Sequence, residues 1–323
     1  MNLVAVLIVR DEAADIPGCL ASLGGIVDGI HVHDTGSTDA TADLARSMGA
    51  VVSTGEWPGD FAAARNAALA AAGRTDWVLS VDADERATAD PGRLRALLAS
   101  ARTDALLVQI DNRHDELPYT QYTPRIFRPS AVHWAGRVHE RLVPERGTWP
   151  ALPGEALRLT HHGYEHRAVR TGKARRNAAL AEAQLPATTG EDRATTLLDL
   201  GRSYVGAGRP QDAVDTFEAL RAEAVPGTRQ WILGTDALAR LLLGAGHDDA
   251  VVVLARQLRG HGVDRQYCDW LESQALAQLG HTADAWQLLR HVRRVVDPAG
   301  RVYPPEHLAE LKRLLGALAG SHR

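Results

Sequence analysis

The stretch Trp77-Val78-Leu79-Ser80-Val81-Asp82-Ala83-Asp84-Glu85 constrains the fold of this chain more than any other. An apolar run of strand-forming residues leads straight into three carboxylates, which describes a buried strand with an acidic carboxyl end. Side chains two apart on an extended strand point the same way. Asp82 and Asp84 are therefore expected to face one site, with Ala83 leaving room beside them. Hard oxygen ligands of this kind suit Mg or Mn holding substrate phosphates. Taken alone, the same residues equally describe an ordinary strand running into a polar loop.

The preceding segments repeat the pattern. Residues 3–9 are continuously apolar, as a strand covered on both faces would be, and they end in Arg10-Asp11-Glu12. A helix follows, with Asp15 as its N-cap and Pro17 in its first turn. Residues 30–34 read as a second strand, which Thr35-Gly36-Ser37-Thr38-Asp39 turns into a helix capped by Ser37 or Thr38, with backbone N–H groups aimed above the sheet. A third strand at 50–53 precedes an alanine-rich helix carrying Arg65 and Asn66. Strands alternating with helices predict an α/β fold with a mostly parallel sheet. Ligands of such sheets sit outside the carboxyl ends of the strands, so Glu12, Asp34, Arg65, Asp82 and Asp84 should share one crevice.

Beyond a helix begun by Asp90-Pro91 and a strand over 105–111, residues 119–166 are rich in histidine, tyrosine and tryptophan and suit a polar, ring-shaped ligand. Single histidines are more often surface or satisfied side chains than ligands; Glu140 and His161 matter only if the fold returns them to the crevice. Residues 164–185 read as a helix and 186–190 as a break, which sets the expected domains at 1–186 and 187–323. The second domain is all helical and repeats. Leu200-Gly201-Arg202-Ser203-Tyr204 followed by Ala213-Val214-Asp215-Thr216-Phe217 has the spacing of a tetratricopeptide helix pair, echoed near Gly246 and Gly280. A plain helical bundle is the alternative.

A net charge of −4 offers no basic field for nucleic acid or anionic lipid. Cys19 and Cys268 stand far apart, against a disulfide framework and for a reducing cytoplasm. Residues 3–9 are too short to span a membrane.

Together, Leu7-Ile8-Val9-Arg10-Asp11-Glu12, Val32-His33-Asp34-Thr35-Gly36-Ser37-Thr38-Asp39, Trp57 with Asp60-Phe61-Ala62-Ala63-Ala64-Arg65-Asn66, Trp77 through Glu85, Arg125-Ile126-Phe127-Arg128, Gly136-Arg137-Val138-His139-Glu140 and His161-His162-Gly163-Tyr164 resemble family 2 glycosyltransferases of the GT-A (Rossmann-like) fold with a tetratricopeptide-like C-terminal region. The glycocin S-glycosyltransferases are one branch of that group. Two departures stand out: the family's Lys-Asn-Glu-Glu is Arg10-Asp11-Glu12-Ala13 here, and the aliphatic residue before Asp34 is His33.

The resemblance implies a metal-dependent, inverting enzyme using a nucleotide-sugar donor, UDP-linked, and a peptide, glycan or small-molecule acceptor. Asp84 would be the direct ligand of Mg or Mn, with His161 completing the shell and Asp82 holding ribose or a metal-bound water. Glu12 and Asp34 would contact the nucleoside, and Arg65 with Asn66 the base or diphosphate; Val9, Arg10 and Ala83 are further nucleotide-binding positions. A displacement of this kind needs a base on the acceptor side. Glu140 is the expected one, with Asp111 and Asp115 as alternatives. Two other classes of function are weighed against this: a tetratricopeptide scaffold with a degenerate nucleotide-sugar domain, and a nucleotidyltransferase. The repeats also offer a surface for a homodimer.

Overall fold

The computed structural model describes residues 1–112, 119–138, 140–144, 149–161 and 167–320. The chain divides into two compact units, Met1–Glu165 and His166–Arg323.

The first unit is built on one eight-stranded sheet. In chain order its elements are β1 (Leu3–Val9), α1 (Ile16–Leu23), β2 (Gly29–Asp34), α2 (Thr41–Ser47), β3 (Val51–Thr54), α3 (Phe61–Ala72), β4 (Trp77–Ser80), β5 (Glu85–Ala89), α4 (Pro91–Ser100), β6 (Ala105–Asn112), β7 (Tyr119–Phe127), β8 (His133–Ala135), β9 (Arg141–Val143) and β10 (Leu157–His161). The sheet order is β3-β2-β1-β4-β7-β6-β10-β5, with β8 and β9 as a separate ribbon. Strands β3, β2, β1 and β4 run parallel, as does the β6–β10 pair, while β7 enters antiparallel between β4 and β6, and β5 closes the far edge antiparallel to β10.

Alternation along β1 explains why this sheet is buried on both sides. Leu3, Ala5, Leu7 and Val9 join Trp77 and Leu79 under α1, α2 and α4. Val6 and Val78 face the other way, onto Ala62 and Ala68 of α3 and onto Phe127 and Trp134. Among the described residues of this unit, carboxyl caps start two helices: Asp60 accepts from Ala63 N (2.9 Å) for α3 and Asp90 from Arg93 N (3.0 Å) for α4.

Two expected caps are replaced by other arrangements. Asp15 precedes α1 without a side-chain cap bond, its carboxylate lying 3.4 Å from Arg86 instead. Helix α2 starts only at Thr41, after Ala40, and Ser37 and Thr38 are engaged by Asp11. The β2–α2 turn carries too many competing side-chain acceptors for the helix to begin as early as its Ser-Thr pair suggests.

In the second unit α5 (Arg167–Gln184) is followed by a 3-10 turn and then by α6 (Gly190–Gly206), α7 (Pro210–Glu223), α8 (Arg229–Gly244), α9 (Asp248–Gly260), α10 (Arg265–Gln278), α11 (Thr282–Leu289) and α12 (Pro305–Gly320). The pairs α6–α7, α8–α9 and α10–α11 each turn at a glycine of positive φ: Gly208, Gly246 and Gly280. Within the first pair Gly201 lies against the Phe217 ring, where a Cβ would come within 2.4 Å of it. Helix α5 packs with these helices: Gln184 Nε2 donates to Thr196 Oγ1 (3.0 Å) and the Tyr204 hydroxyl to Glu182 Oε1 (2.5 Å). The division thus falls ahead of this helix, which the sequence reading grouped with the first domain.

Candidate functional site

Strand β4 stops at Ser80, and residues 82–85 form a turn in which Glu85 N donates to Asp82 O at 3.0 Å. The extended geometry expected for Asp82 and Asp84 is therefore absent, and the turn sends the two carboxylates to different partners. Asp84 Oδ2 lies 3.0 Å from Nε2 of His161, the last residue of β10. His161 Nδ1 is 3.2 Å from Oδ1 of Asn112, at the end of β6. If Nδ1–H donates to Asn112 Oδ1, Nε2 is left facing Asp84, where it could donate to that carboxylate when protonated or take a cation. Burial works against charging His161, but the hydrogen bond and negative charge of Asp84 prevail and raise its pKa above the ordinary value. Among the described residues no three His, Cys, Asp or Glu side chains gather as a metal cage. One carboxylate and one imidazole instead form a two-donor edge, which suits a hard cation whose remaining positions are filled by phosphate oxygens and water.

Asp82 belongs to a buried ion network. Its Oδ1 accepts from Arg65 Nη2 and its Oδ2 from Arg125 Nη2, both at 2.8 Å. The same Arg125 nitrogen reaches Glu85 Oε1 (2.9 Å), while Glu85 Oε2 accepts from Asp82 N (2.9 Å). Arg65 also donates from Nε to Glu140 Oε1 (2.5 Å) and from Nη1 to Ser80 Oγ (3.2 Å). Burial alone would raise the Asp82 carboxyl, yet Arg125 and Arg65 hold it well below the usual carboxylate range. For Glu85 burial wins over Arg125, and its carboxyl is pushed up to about 7.

Two of these positions revise the sequence reading. Glu85 appeared there as one of three acids at the strand end, with no role; it is the buried first residue of β5. Arg65, expected on base or diphosphate, has its guanidinium engaged by Glu140, Ser80 and Asp82.

Glu140 reaches the network because the chain doubles back at Gly136, at φ +101°, and Arg137 O accepts from Phe61 N (2.9 Å) at the start of α3. Trp134 packs beside it, its ring 5.2 Å from the Arg65 guanidinium carbon. Asn66, the other residue expected on the nucleotide, uses its amide on the main chain of Trp134: Nδ2 donates to Trp134 O (2.9 Å) and Oδ1 accepts from Trp134 N (3.0 Å). It ties β8 to α3. Asp111 accepts from Gln109 and Thr120 (both 2.9 Å). Asp115, His139, His162, Gly163 and Tyr164 lie outside the described residues.

The loops after β1 and β2 interlock. Asp11 adopts a positive φ of 54° and its Oδ1 accepts from Thr38 N (2.7 Å), while Asp11 N donates to Ser37 Oγ (2.9 Å). A short polar residue tolerates this conformation, which explains how Asp11 serves where the family carries asparagine. Glu12 N donates to Thr41 Oγ1 (2.7 Å), and Val9 O accepts from both Thr35 N and Thr35 Oγ1. Of the backbone N–H groups expected to point above the sheet, those of Gly36 and Ser37 are taken by Asp34 Oδ1, at 2.9 and 2.7 Å. Arg10 is exposed, 3.8 Å from Asp11. Ala83 is buried, and its carbonyl accepts from Arg86 Nη1 at 2.9 Å.

Comparison with known proteins supplies the family. The profile of glycosyl transferase family 2 matches residues 4–182, more than half of the chain. The chain belongs to glycosyl transferase family 2. A TPR repeat-containing protein of Synechococcus elongatus is 34% identical over 168 residues, covering 49% of this chain and 41% of that protein. An uncharacterized glycosyltransferase of Rickettsia bellii is 32% identical over 131 residues, covering 39% and 42%. The alignment thus spans less than half the length of each of these curated relatives. Among solved structures, glucosyl-3-phosphoglycerate synthase from Mycobacterium tuberculosis, in complex with Mn2+, UDP and glucosyl-3-phosphoglycerate, overlaps 35% of this chain and 44% of that one at 28% identity with a TM-score of 0.29.

Within this family 2 chain, sequence reading missed Arg125, Glu85 and Asn112. Arg125 stood in a recognised motif, so a signal existed. Nothing in the sequence around Asn112 marks it out.

Proposed function

We propose that the first unit transfers a sugar from a nucleotide-sugar donor, UDP-linked as in the resemblance, to a peptide, glycan or small-molecule acceptor with inversion at the anomeric carbon. The observation that carries this reading is the meeting of the Asp84–His161 edge with the Glu140–Arg65–Asp82 network beyond the carboxyl end of β4. In the reaction the acceptor's nucleophilic atom bonds to the anomeric carbon as the bond from that carbon to the diphosphate oxygen breaks. The leaving nucleoside diphosphate keeps the electron pair, and the acceptor's proton passes to Glu140, which Arg65 holds in place. Asp84 and His161 would hold Mg or Mn, which supplies positive charge to the departing diphosphate. Glu12 and Asp34, at the ends of the first two strands, are assigned to the nucleoside, and Asp82 to the ribose.

Buried thiols at Cys19 and Cys268 suit a reducing cytoplasm, and none of the described helices is long and apolar enough to cross a membrane. The helical unit is assigned to the acceptor or to a second copy of the chain.

A panel of nucleotide sugars with Mn2+ tests the reading through release of nucleoside diphosphate. The wild type is expected to be stabilised by UDP with Mn2+ in thermal unfolding, and the Asp84→Ala variant to lose both this stabilisation and the turnover. Full turnover by Asp84→Ala would remove the metal role, and release of pyrophosphate instead would make the chain a nucleotidyltransferase.

A further inference from the structure

Arg65 joins two carboxylates that arrive from separate parts of the first unit: Asp82 from the turn after β4, and Glu140 from the loop between β8 and β9. They share its Nε and Nη2, which lie along one edge of the planar guanidinium, an edge that ordinarily takes both oxygens of a single carboxylate. Two like charges are thus held side by side by one cation. Asp82 has a second anchor, since Arg125 grips its other oxygen. Glu140 has no second hydrogen-bond anchor: among the described residues Arg65 is its direct partner, and Arg125 acts on it through charge alone. Both side chains are largely buried, Arg65 at 9% and Glu140 at 13% exposure, so water does little to hold Glu140 in place or to screen it from Asp82.

From this geometry we infer that Arg65 is a positioning residue, aiming the Glu140 carboxylate by reference to Asp82, so that the acceptor-side base stands correctly only while the donor-side turn is in register. The inference rests on the reading of Glu140 as the base. A lysine at 65 keeps the charge but presents a point donor in place of the fork. Glu140 would then be drawn toward the ammonium without being oriented, and transfer would slow while donor binding changed little.

A double-variant cycle tests this, using kcat, the two KM values and the thermal shift with UDP and Mn2+ for R65K, E140Q and the combination. E140Q is expected to lower kcat by about 100-fold or more, as loss of a general base does. R65K should lower kcat by about tenfold with donor KM within about twofold, yet add less than about twofold on top of E140Q, because residues acting as a unit are not additive. R65Q carries the same expectation should the lysine variant fail to fold. Equal losses from R65K in both backgrounds would overturn the positioning role and leave the base intact. So would a raised donor KM with unchanged kcat, which would place Arg65 on the donor. E140Q turning over like the wild type would overturn the base assignment and the positioning role together.

Discussion

Asp82 and Asp84 show how far residue-level reading reaches. Their chemical type was legible, as was their delivery to a strand end. That they part company was not, because the partners that separate them, Arg125 and His161, lie on strands far along the chain. The same holds for His31 and His33, whose spacing puts them on one face of β2 but whose shared partner is on β3. Ser53 Oγ bridges His31 Nε2 (2.9 Å) and His33 Nδ1 (2.8 Å). Both rings are buried, and burial lowers both pKa values below the ordinary 6.5. The unfolded chain therefore binds more protons than the folded one as pH falls through this range, so this contribution to stability is full above about 6.5 and declines as the solution is acidified. We expect the unfolding temperature to drop between about pH 7.5 and about pH 5.5, and the drop to shrink in the His31→Gln/His33→Gln variant. An unchanged drop would assign the acid sensitivity elsewhere.

At the scale of elements, periodicity located β1 to β4, β6 and the helices between them but not β5, and its failure at the start of α2 has a local cause. Where side-chain acceptors crowd a turn, as Asp11, Asp34 and Asp39 do before α2, the start of the helix depends on which acceptor wins each N–H, and strand spacing says nothing about that. Where elements meet through a steric requirement, sequence reading did well. The glycine of the Leu-Gly-x-x-Tyr spacing lets the Phe217 ring approach α6, and Phe217 is itself fully buried. Gly201→Ala must displace that ring, at a cost of about 1–3 kcal/mol for overpacking. Denaturant unfolding of this variant should show a lower midpoint for the helical unit while the UDP binding proposed for the first unit is retained. Loss of UDP binding with an unchanged midpoint would contradict the packing account.

At the scale of the whole molecule, the chain is two units of different construction, and both the α/β class and the helical repeats were visible in the sequence. What periodicity could not disclose is the place of β7. Strands that alternate with helices were expected to add side by side, whereas β7 inserts antiparallel between β4 and β6. Its arginine, Arg125, then neutralises Asp82 and Glu85 from a direction that no local pattern foretells.

That insertion has a consequence for how the protein is made. As the chain leaves the ribosome, the parallel strands β3, β2, β1 and β4 are complete before β7 exists. Until then β4 is an open edge, with Glu85 lacking Arg125 and Asp82 held by Arg65 alone. An unpaired apolar edge is a template for other chains. A product that terminates at residue 112 should therefore aggregate, and one extended through Val143 should do so less, as read by the soluble fraction after synthesis in a cell-free system; equal solubility would show that the early strands protect themselves. On this view β7 completes the site and also ends the most hazardous interval in the birth of the protein.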